Sequence, residues 1–248
     1  MLTIDPQAGL TVTGTTSVGS GCTFLLKSDA TGSANFITGS SVTGSFSVEL
    51  FLAGGGAPDY KWHYVTPPIN NYDKAVLTTA ISNPNNLLNY LETVVTTDKN
   101  TGLNWHNGFN STPGFLTLLT SRGYNVYVST DQTAIFAGTI LPGSTITNTN
   151  ITCGGTNVDQ NGWNLIGNQF VSAVDANQFV LSPKIVDKAI YFTIDNRYVS
   201  WNTFTGVGIG PGVSNIVPAL QGFFVHATTG FGTRSVAIPS GSRLYTTN

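Results

Sequence analysis

Short runs in which apolar residues alternate with small polar ones constrain this chain most. Leu10 and Val12 alternate with threonines near the start, and Phe46, Val48 and Leu50 alternate with polar residues further along. A period of two places the apolar side chains on one face of a β-strand. Runs of this kind, bounded by glycine, predict many short strands joined by turns.

Helical patterns are weak by comparison. Residues 83–92 and 172–180 are the best candidates, but neither sustains a helical repeat, so each would form only a turn or two. The 248 residues suffice for one large all-β domain or two small ones. We therefore predict an all-β fold, β-sandwich or jelly-roll-like, with minor helix.

One pattern occurs twice along the chain. "KWHYVTPPI" at 61–69 and "GWNLIGNQF" at 162–170 each join a Trp to an apolar run that ends at a breaker. The matching positions, with offsets of 101, 96 and 99 residues, are Trp62 and Trp163, Trp105 and Trp201, and Gly123 and Gly222. Three matches in the same order predict an internal duplication of a β-unit.

Glycine-rich and polar stretches suggest the boundaries of these units. Before the first unit, "TVTG" at 11–14 is echoed by "SVTG" at 41–44, which suggests stacked strand–turn units. The predicted organisation is an N-terminal strand array at 1–57, a first β-unit at 58–145, a linker at 146–160 and a second, similar β-unit at 161–248.

Charge is scarce in this composition. Only 9% of the residues are charged, against about 25% in ordinary globular proteins. The net charge is −2 and the Lys and Arg residues form no cluster, so the sequence argues against nucleic-acid binding. No apolar run approaches the length of a membrane helix, so we expect no membrane insertion.

The sequence shows no catalytic signature. It contains no Gly-x-Ser-x-Gly elbow and no His-Glu-x-x-His motif, so we assign no catalytic residue and expect no cofactor. His63 and His226 fit structural or edge roles, and His106 fits a surface position. Glu49 and Glu92 lie in strand-like runs and are expected to face solvent, although a glycosidase would need an opposed pair of carboxylates.

Metal and disulfide signals are also limited. Asp98 and Asn100 precede Gly102 like the opening of a calcium loop, but the acidic residue that would close the loop is missing. We therefore predict a hairpin turn there and no metal site. Cys22 and Cys153 could form one disulfide, or they could be two separate thiols.

Aromatic residues near strand ends are the remaining candidates for a binding site. Flat rings can stack on sugar rings, but they also serve in cores. We take Trp105, Trp201, Tyr124 and Tyr198 as weak ligand-binding candidates. Trp62 and Trp163 are instead expected to pack in the core.

Longer motifs carry a resemblance to a known family. "GWNLIGNQF", "AVDANQFV", "IYFTIDNRYVSWN" and "IVPALQGFFVHATT" resemble a segment repeated in large secreted proteins of Bacteroidetes that are exported by the type IX system. The family phrase usually has Pro where this chain has Gln169 and Val171. The resemblance implies an extracellular or cell-surface location, and the family phrase brings no catalytic residue.

These observations together favour a non-catalytic structural or adhesive module. Its partner would be a neutral glycan or a neighbouring surface protein, because few ions need desolvation at such a surface. One alternative is a self-assembling subunit of a filament or surface layer that uses the strand edges of 1–57. Another is a carbohydrate-binding module or a glycan-active enzyme. The resemblance makes a jelly-roll capsid protein less favoured.

Overall fold

Strands dominate the computed structural model of the protein, which describes residues 1–78, 86–93, 104–107, 117–155, 159–185, 188–194, 197–230 and 232–245. Helix α1 (Ala75–Thr78) is the only α-helix within these ranges. Short 3-10 turns cover Ala176–Gln178 and Ser240–Ser242. The predicted all-β fold with minor helix is therefore confirmed.

The N-terminal residues form a stack of short strands that pair in parallel, apart from one antiparallel hairpin. These strands are β1 (Leu2–Ile4), β2 (Gly9–Val12), β3 (Thr16–Ser17), β4 (Phe24–Leu26), β5 (Ser28–Asp29), β6 (Gly32–Ser33), β7 (Asn35–Thr38), β8 (Val42–Thr43) and β9 (Phe46–Leu52). The chain coils so that β4 lies parallel between β1 and β9, β7 beside β2 and β8 beside β3. We call residues 1–52 the N-terminal stack.

Parallel stacking brings similar side chains of the N-terminal stack together. Leu2, Phe24 and Phe46 occupy successive levels, and the rings of Phe24 and Phe46 lie 5.0 Å apart. The echoed phrases do not pair with each other, because Val12 lies beside Thr38 and Val42 lies beside Thr16.

The next segment builds the first sheet. Its strands are β10 (Trp62–Val65), β11 (Tyr72–Asp73), β12 (Leu87–Tyr90), β13 (Trp105–Asn107), β14 (Thr117–Leu118), β15 (Tyr124–Tyr127) and β16 (Gln132–Gly138). The first sheet has the order β10-β15-β12-β13, and β11 pairs with β14. Strand β16 instead pairs with β9 from Gln132 opposite Leu52 to Gly138 opposite Phe46. The sheet of the N-terminal stack therefore runs across the predicted boundary near residue 57.

The remaining residues build the second sheet and its flanks. They form β17 (Ile146–Asn148), β18 (Trp163–Gly167), β19 (Ala173–Asp175), β20 (Val180–Leu181), β21 (Ala189–Ile194), β22 (Arg197–Asn202), β23 (Val207–Ile209), β24 (Ile216–Val217), β25 (Gly222–His226), β26 (Val236–Ile238) and β27 (Arg243–Leu244). The second sheet has the order β18-β25-β21-β22-β23. Strand β17, which lies within the predicted linker at 146–160, pairs with β26.

The first and second sheets share one connectivity. In each, the opening strand pairs antiparallel with a strand late in the segment, β15 or β25. That strand pairs with a third strand, β12 or β21, which pairs in turn with the strand that follows it in the sheet, β13 or β22. Trp62 lies opposite Tyr127, and Trp163 lies opposite His226. This is the arrangement that a duplicated unit would adopt, and the duplication itself stays a prediction.

Register identifies the structural counterparts within these sheets. The opposed residues Leu88 and Asn125 of the first sheet correspond to Tyr191 and Phe224 of the second. The opposed residues Tyr90 and Trp105 of the first sheet correspond to Thr193 and Tyr198 of the second. Trp105 therefore corresponds to Tyr198, and not to Trp201 as the sequence offsets suggested. A shift of an odd number of residues along a strand moves a side chain to the opposite face.

Three clusters of buried residues hold the described residues together. The back of the first sheet shares a core with the N-terminal stack, and the back of the second sheet has its own core. An aromatic layer lies between the front faces of the sheets, around Tyr64, Tyr90, Leu165 and Phe224. Trp163 packs half-buried against this layer.

Candidate functional site

A pocket opens within the aromatic layer between the two sheets. Its volume is about 290 Å³, and its lining residues are Tyr90, Trp105, Gln160, Trp163, Tyr191, Tyr198 and Phe224. Every one of these residues except Gln160 is aromatic. We call this site the aromatic pocket.

Strand pairing places these rings together. Residues directly opposite each other on antiparallel strands share a face of the sheet. Tyr90 lies opposite Trp105 in the first sheet, and Tyr191 lies opposite Phe224 in the second. The two front faces meet, so the aromatic pocket takes its walls from both units.

The walls of the aromatic pocket are packed edge to face. The Tyr90 ring lies 5.1 Å from Trp105 at 79° and 5.0 Å from Phe224 at 89°. Trp163 lies 4.9 Å from Tyr191 at 75° and stacks on His226 at 4.6 Å and 15°. Such contacts fix ring orientation, so a ligand would find the walls largely preformed.

Hydroxyl and amide groups supply the polar part of the site. The Tyr90 hydroxyl donates to Gln160 Oε1 at 2.6 Å. The Tyr64 hydroxyl lies near that of Tyr198, which adds to the raised pKa of Tyr64. Burial raises the pKa of both Tyr64 and Tyr90 above the usual value, so these hydroxyls stay neutral at ordinary pH. None of the lining side chains carries a charge at neutral pH.

A buried carboxylate positions the rim of the aromatic pocket. Oε1 of Glu92 accepts from the backbone N–H groups of Gly154, Gly155 and Gly162, at 3.0, 2.8 and 3.0 Å. Burial works to raise the pKa of Glu92, but these N–H groups together hold it below the usual value. The expectation that Glu92 faces solvent is wrong, since the residue is only 3% exposed.

Gly162 is required at the contact with Glu92. Its φ of 82° lies in the left-handed region, and a Cβ there would stand 2.0 Å from the carbonyl oxygen of Ala227. The tight turn directs its N–H to Glu92 and begins β18 at the next residue, Trp163. Glu92 therefore ties the end of β12 to the segment that carries Gln160 and Trp163.

The sequence-based candidates divide between this site and the cores. Trp105 and Tyr198 line the aromatic pocket. Trp201 lies on the opposite face of the second sheet, where its Nε1 donates to Asn177 Oδ1 at 2.9 Å. Tyr124 is 1% exposed, and its hydroxyl accepts from the backbone N–H of Leu119, so a ligand cannot reach its ring. Asp98 and Asn100 lie outside the described residues.

Sequence reasoning missed most of the lining. The four ligand-binding candidates did not include Tyr90, Gln160, Tyr191 or Phe224, and Trp163 was assigned to the core. The signal that could have found three of them is the alternation within each strand, once the strand partners are known. Pairing partners are set over long range, and Gln160 lies in a turn without periodicity.

A further cavity of about 310 Å³ is lined by residues that include the β5–β6 hairpin, His63 and Gln221. Its hydroxyls largely bond one another, as in Ser28 with Ser33. His63 Nε2 donates to the carbonyl oxygen of Ala53 at 2.8 Å, and burial lowers the pKa of His63. We therefore regard this cavity as a weaker candidate than the aromatic pocket.

The remaining reactive side chains give no second site. Cys22 is an exposed free thiol and Cys153 a half-buried one, so the two-thiol alternative holds. His106 is fully buried, which contradicts the predicted surface position. Within the described ranges, no group of three or more His, Cys, Asp or Glu side chains could hold a metal ion.

Among the helices of the described residues, none is both long enough and apolar enough to span a bilayer.

Compared with known proteins, the chain matches no family model, no curated protein and no solved structure. The resemblance to secreted proteins of Bacteroidetes therefore stays an expectation that depends on the motifs alone.

Proposed function

We propose that this protein is a non-catalytic structural or adhesive module of an extracellular or cell-surface protein, and that it binds a neutral glycan in the aromatic pocket. The observation that carries the proposal is the uncharged pocket of about 290 Å³ whose walls are almost entirely aromatic. The secreted-protein motifs support the location.

The lining chemistry suits a sugar. The apolar face of a pyranose ring stacks on Trp105 or Trp163, while its hydroxyls exchange hydrogen bonds with Gln160 and Tyr198. A neutral ligand costs less desolvation than an ion in such a site. Preformed walls also reduce the entropy lost on binding.

Binding without hydrolysis fits the carboxylate inventory of the site. Glycoside hydrolysis generally needs two carboxyl groups that flank the scissile bond. The lining contains no carboxylate, and Glu92 nearby already accepts from Gly154, Gly155 and Gly162. These facts favour a binding module over a glycan-active enzyme.

Co-sedimentation with a panel of insoluble polysaccharides, namely cellulose, chitin, xylan and mannan, tests the proposal. We expect the protein to pellet with at least one of them and Tyr198→Ala to lose about tenfold in affinity, since a stacked or hydrogen-bonded side chain contributes roughly 1–1.5 kcal/mol. Tyr198 is 79% exposed, so its removal should not disturb folding. Phe204→Ala is the matched control, because Phe204 is 86% exposed but lies outside the pocket.

Equal pelleting of wild type and Tyr198→Ala would contradict binding in the aromatic pocket. A wild-type protein that stays in solution with every polysaccharide would contradict glycan binding altogether.

Self-assembly is a second candidate, favoured by one observation. Strand β1 is the outer strand of the order β1-β4-β9-β16, and no strand of the described residues pairs with its other side. Leu2 on this edge is 52% exposed. An open edge is a template for another chain. Concentration-dependent pelleting of the protein alone would support this function, and a monomer at all concentrations would contradict it.

A further inference from the structure

We infer that the first sheet carries a second saccharide-binding surface, formed by Tyr60, Trp62 and Tyr127, so that each chain has two binding sites. We call these three residues the aromatic platform. The inference rests on the proposed function of the aromatic pocket.

The aromatic platform is a continuous row of rings on one face of the first sheet. Trp62 and Tyr127 are a directly opposed cross-strand pair with ring centroids 5.4 Å apart. Tyr60, two residues before Trp62, lies 5.5 Å from Tyr127. Tyr60 is 48% exposed, and the other two rings are half-buried. Tyr127 therefore lies close to both of the other rings.

The connectivity shared by the sheets relates the platform to the pocket. Trp62 and Tyr127 occupy the register positions that Trp163 and His226 occupy in the second sheet, and Trp163 is a wall of the aromatic pocket. Strand β12 contacts β18, and β21 contacts β10, as a two-fold relation between the sheets requires. The same scaffold thus presents a Trp of each unit at an equivalent place.

Core packing does not account for the platform. Among the described residues, neither Tyr60, Trp62 nor Tyr127 belongs to a hydrophobic core cluster or packs against one. This contrasts with Trp163, and it corrects the expectation that Trp62 is a core residue. The exposed ring of Tyr60 and the exposed parts of Trp62 and Tyr127 are available to a partner.

The platform is also held in place. The Tyr127 hydroxyl donates to the carbonyl oxygen of Gly55 at 2.7 Å, which fixes that ring. Trp62 lies on a strand and packs against it. A fixed ring loses little conformational entropy on binding, which favours stacking by a ligand.

These features point to the same ligand class as the pocket. An open row of rings accepts the apolar faces of successive sugar units, whereas the pocket surrounds a unit. Two sites on one chain raise the apparent affinity for a polysaccharide by about 10²–10⁴ over one site, provided that both can engage one polymer. The ligand is a neutral polysaccharide chain.

Tryptophan side-chain NMR of the labelled full chain can test this inference, because the four tryptophans report on different places. The indole N–H of Trp62 reports on the platform, those of Trp105 and Trp163 on the pocket, and that of Trp201 on the opposite face as an internal control. The probes are the soluble hexasaccharides of cellulose, chitin, xylan and mannan.

With a binding hexasaccharide, we expect the Trp62, Trp105 and Trp163 signals to move and saturate, and the Trp201 signal to stay. In Tyr198→Ala the Trp62 shift should persist while the pocket shifts need about tenfold more sugar. In Tyr60→Ala the Trp105 and Trp163 shifts should persist, while the Trp62 shift should need about tenfold more sugar. Tyr60 is exposed, so this variant should keep the wild-type spectrum elsewhere.

Each other outcome is decisive. If Trp105 and Trp163 move while Trp62 does not, the platform is overturned and the pocket function stands. If no signal moves with any hexasaccharide, the platform is overturned and the pocket loses its support as well. If Trp201 moves with the rest, the shifts are not site-specific and the platform is overturned.

Discussion

The first and second sheets share their strand pairing but differ in what lies behind them. The back of the first sheet faces the N-terminal stack and includes the buried polar side chains of Asn89 and His106. The back of the second sheet faces a separate core of apolar residues such as Phe223 and Ile190. The comparison shows that one connectivity tolerates different core chemistry, because each back face adapts to its own partner.

Tyr124 and Phe223 are counterparts that test this difference most strongly. Phe223→Ala removes a fully buried ring and should lower the free energy of unfolding by about 3–5 kcal/mol. Tyr124→Phe keeps the ring but leaves the Leu119 N–H without its acceptor, so we expect a loss of about 1–2 kcal/mol. Urea unfolding measures the loss in free energy of unfolding for each variant. Equal losses would contradict the difference in core chemistry between the two back faces.

Glu92 is the next test, because it ties the first sheet to the segment that precedes the second. Glu92→Ala leaves the N–H groups of Gly154, Gly155 and Gly162 without their acceptor, and we expect a loss of about 2–4 kcal/mol at pH 7. Glu92→Gln retains an acceptor oxygen and should lose less.

The effect of Glu92 should depend on acidity. Its pKa in the folded protein lies below the usual value, so its charged form stabilises the fold above the unfolded pKa. This contribution is lost as the pH falls through the folded pKa. The difference between wild type and Glu92→Gln should therefore shrink when urea unfolding is repeated near pH 3. A constant difference from pH 7 to pH 3 would contradict a charged Glu92.

Trp105 and Trp201 provide a test of intermediate size. Each is half-buried, so substitution by Ala should lower the free energy of unfolding by about 1–3 kcal/mol in either case. Only Trp105→Ala should also weaken co-sedimentation with polysaccharide, since Trp201 lies on the opposite face. A loss of polysaccharide binding in correctly folded Trp201→Ala would contradict the prediction that Trp201 lies outside the binding site.

The smallest expected effect concerns the front faces, where Tyr64 of the first sheet corresponds to Leu165 of the second. Burial raises the pKa of Tyr64, so the neutral hydroxyl stabilises the fold below pH 10 and the contribution is lost as the pH rises through the folded pKa. Tyr64→Phe should cost about 0.5–1.5 kcal/mol at pH 7, because it removes the interaction of this hydroxyl with the neighbouring Tyr198. Thermal unfolding between pH 8 and 11 should show a shallower alkaline decline in the variant. An unchanged decline would mean that Tyr64 is not the group responsible.

Alternation along the chain was enough to predict the strands and the all-β class. Trp105 and Tyr198 were found as candidates because they are aromatic residues near predicted strand ends. The buried positions of Glu92 and His106 were not foreseen, because burial of a polar side chain depends on distant backbone groups that satisfy it.

Sequence alone thus determined the element type and the scarcity of charge. Only the tertiary structure decided that β16 joins β9, that Tyr198 and not Trp201 matches Trp105, and that the aromatic faces of two units close on a pocket. The physical reason is that periodicity is a local property of the backbone. Strand partners and register are fixed by contacts between residues far apart in the chain, and a slip of one position exchanges the faces.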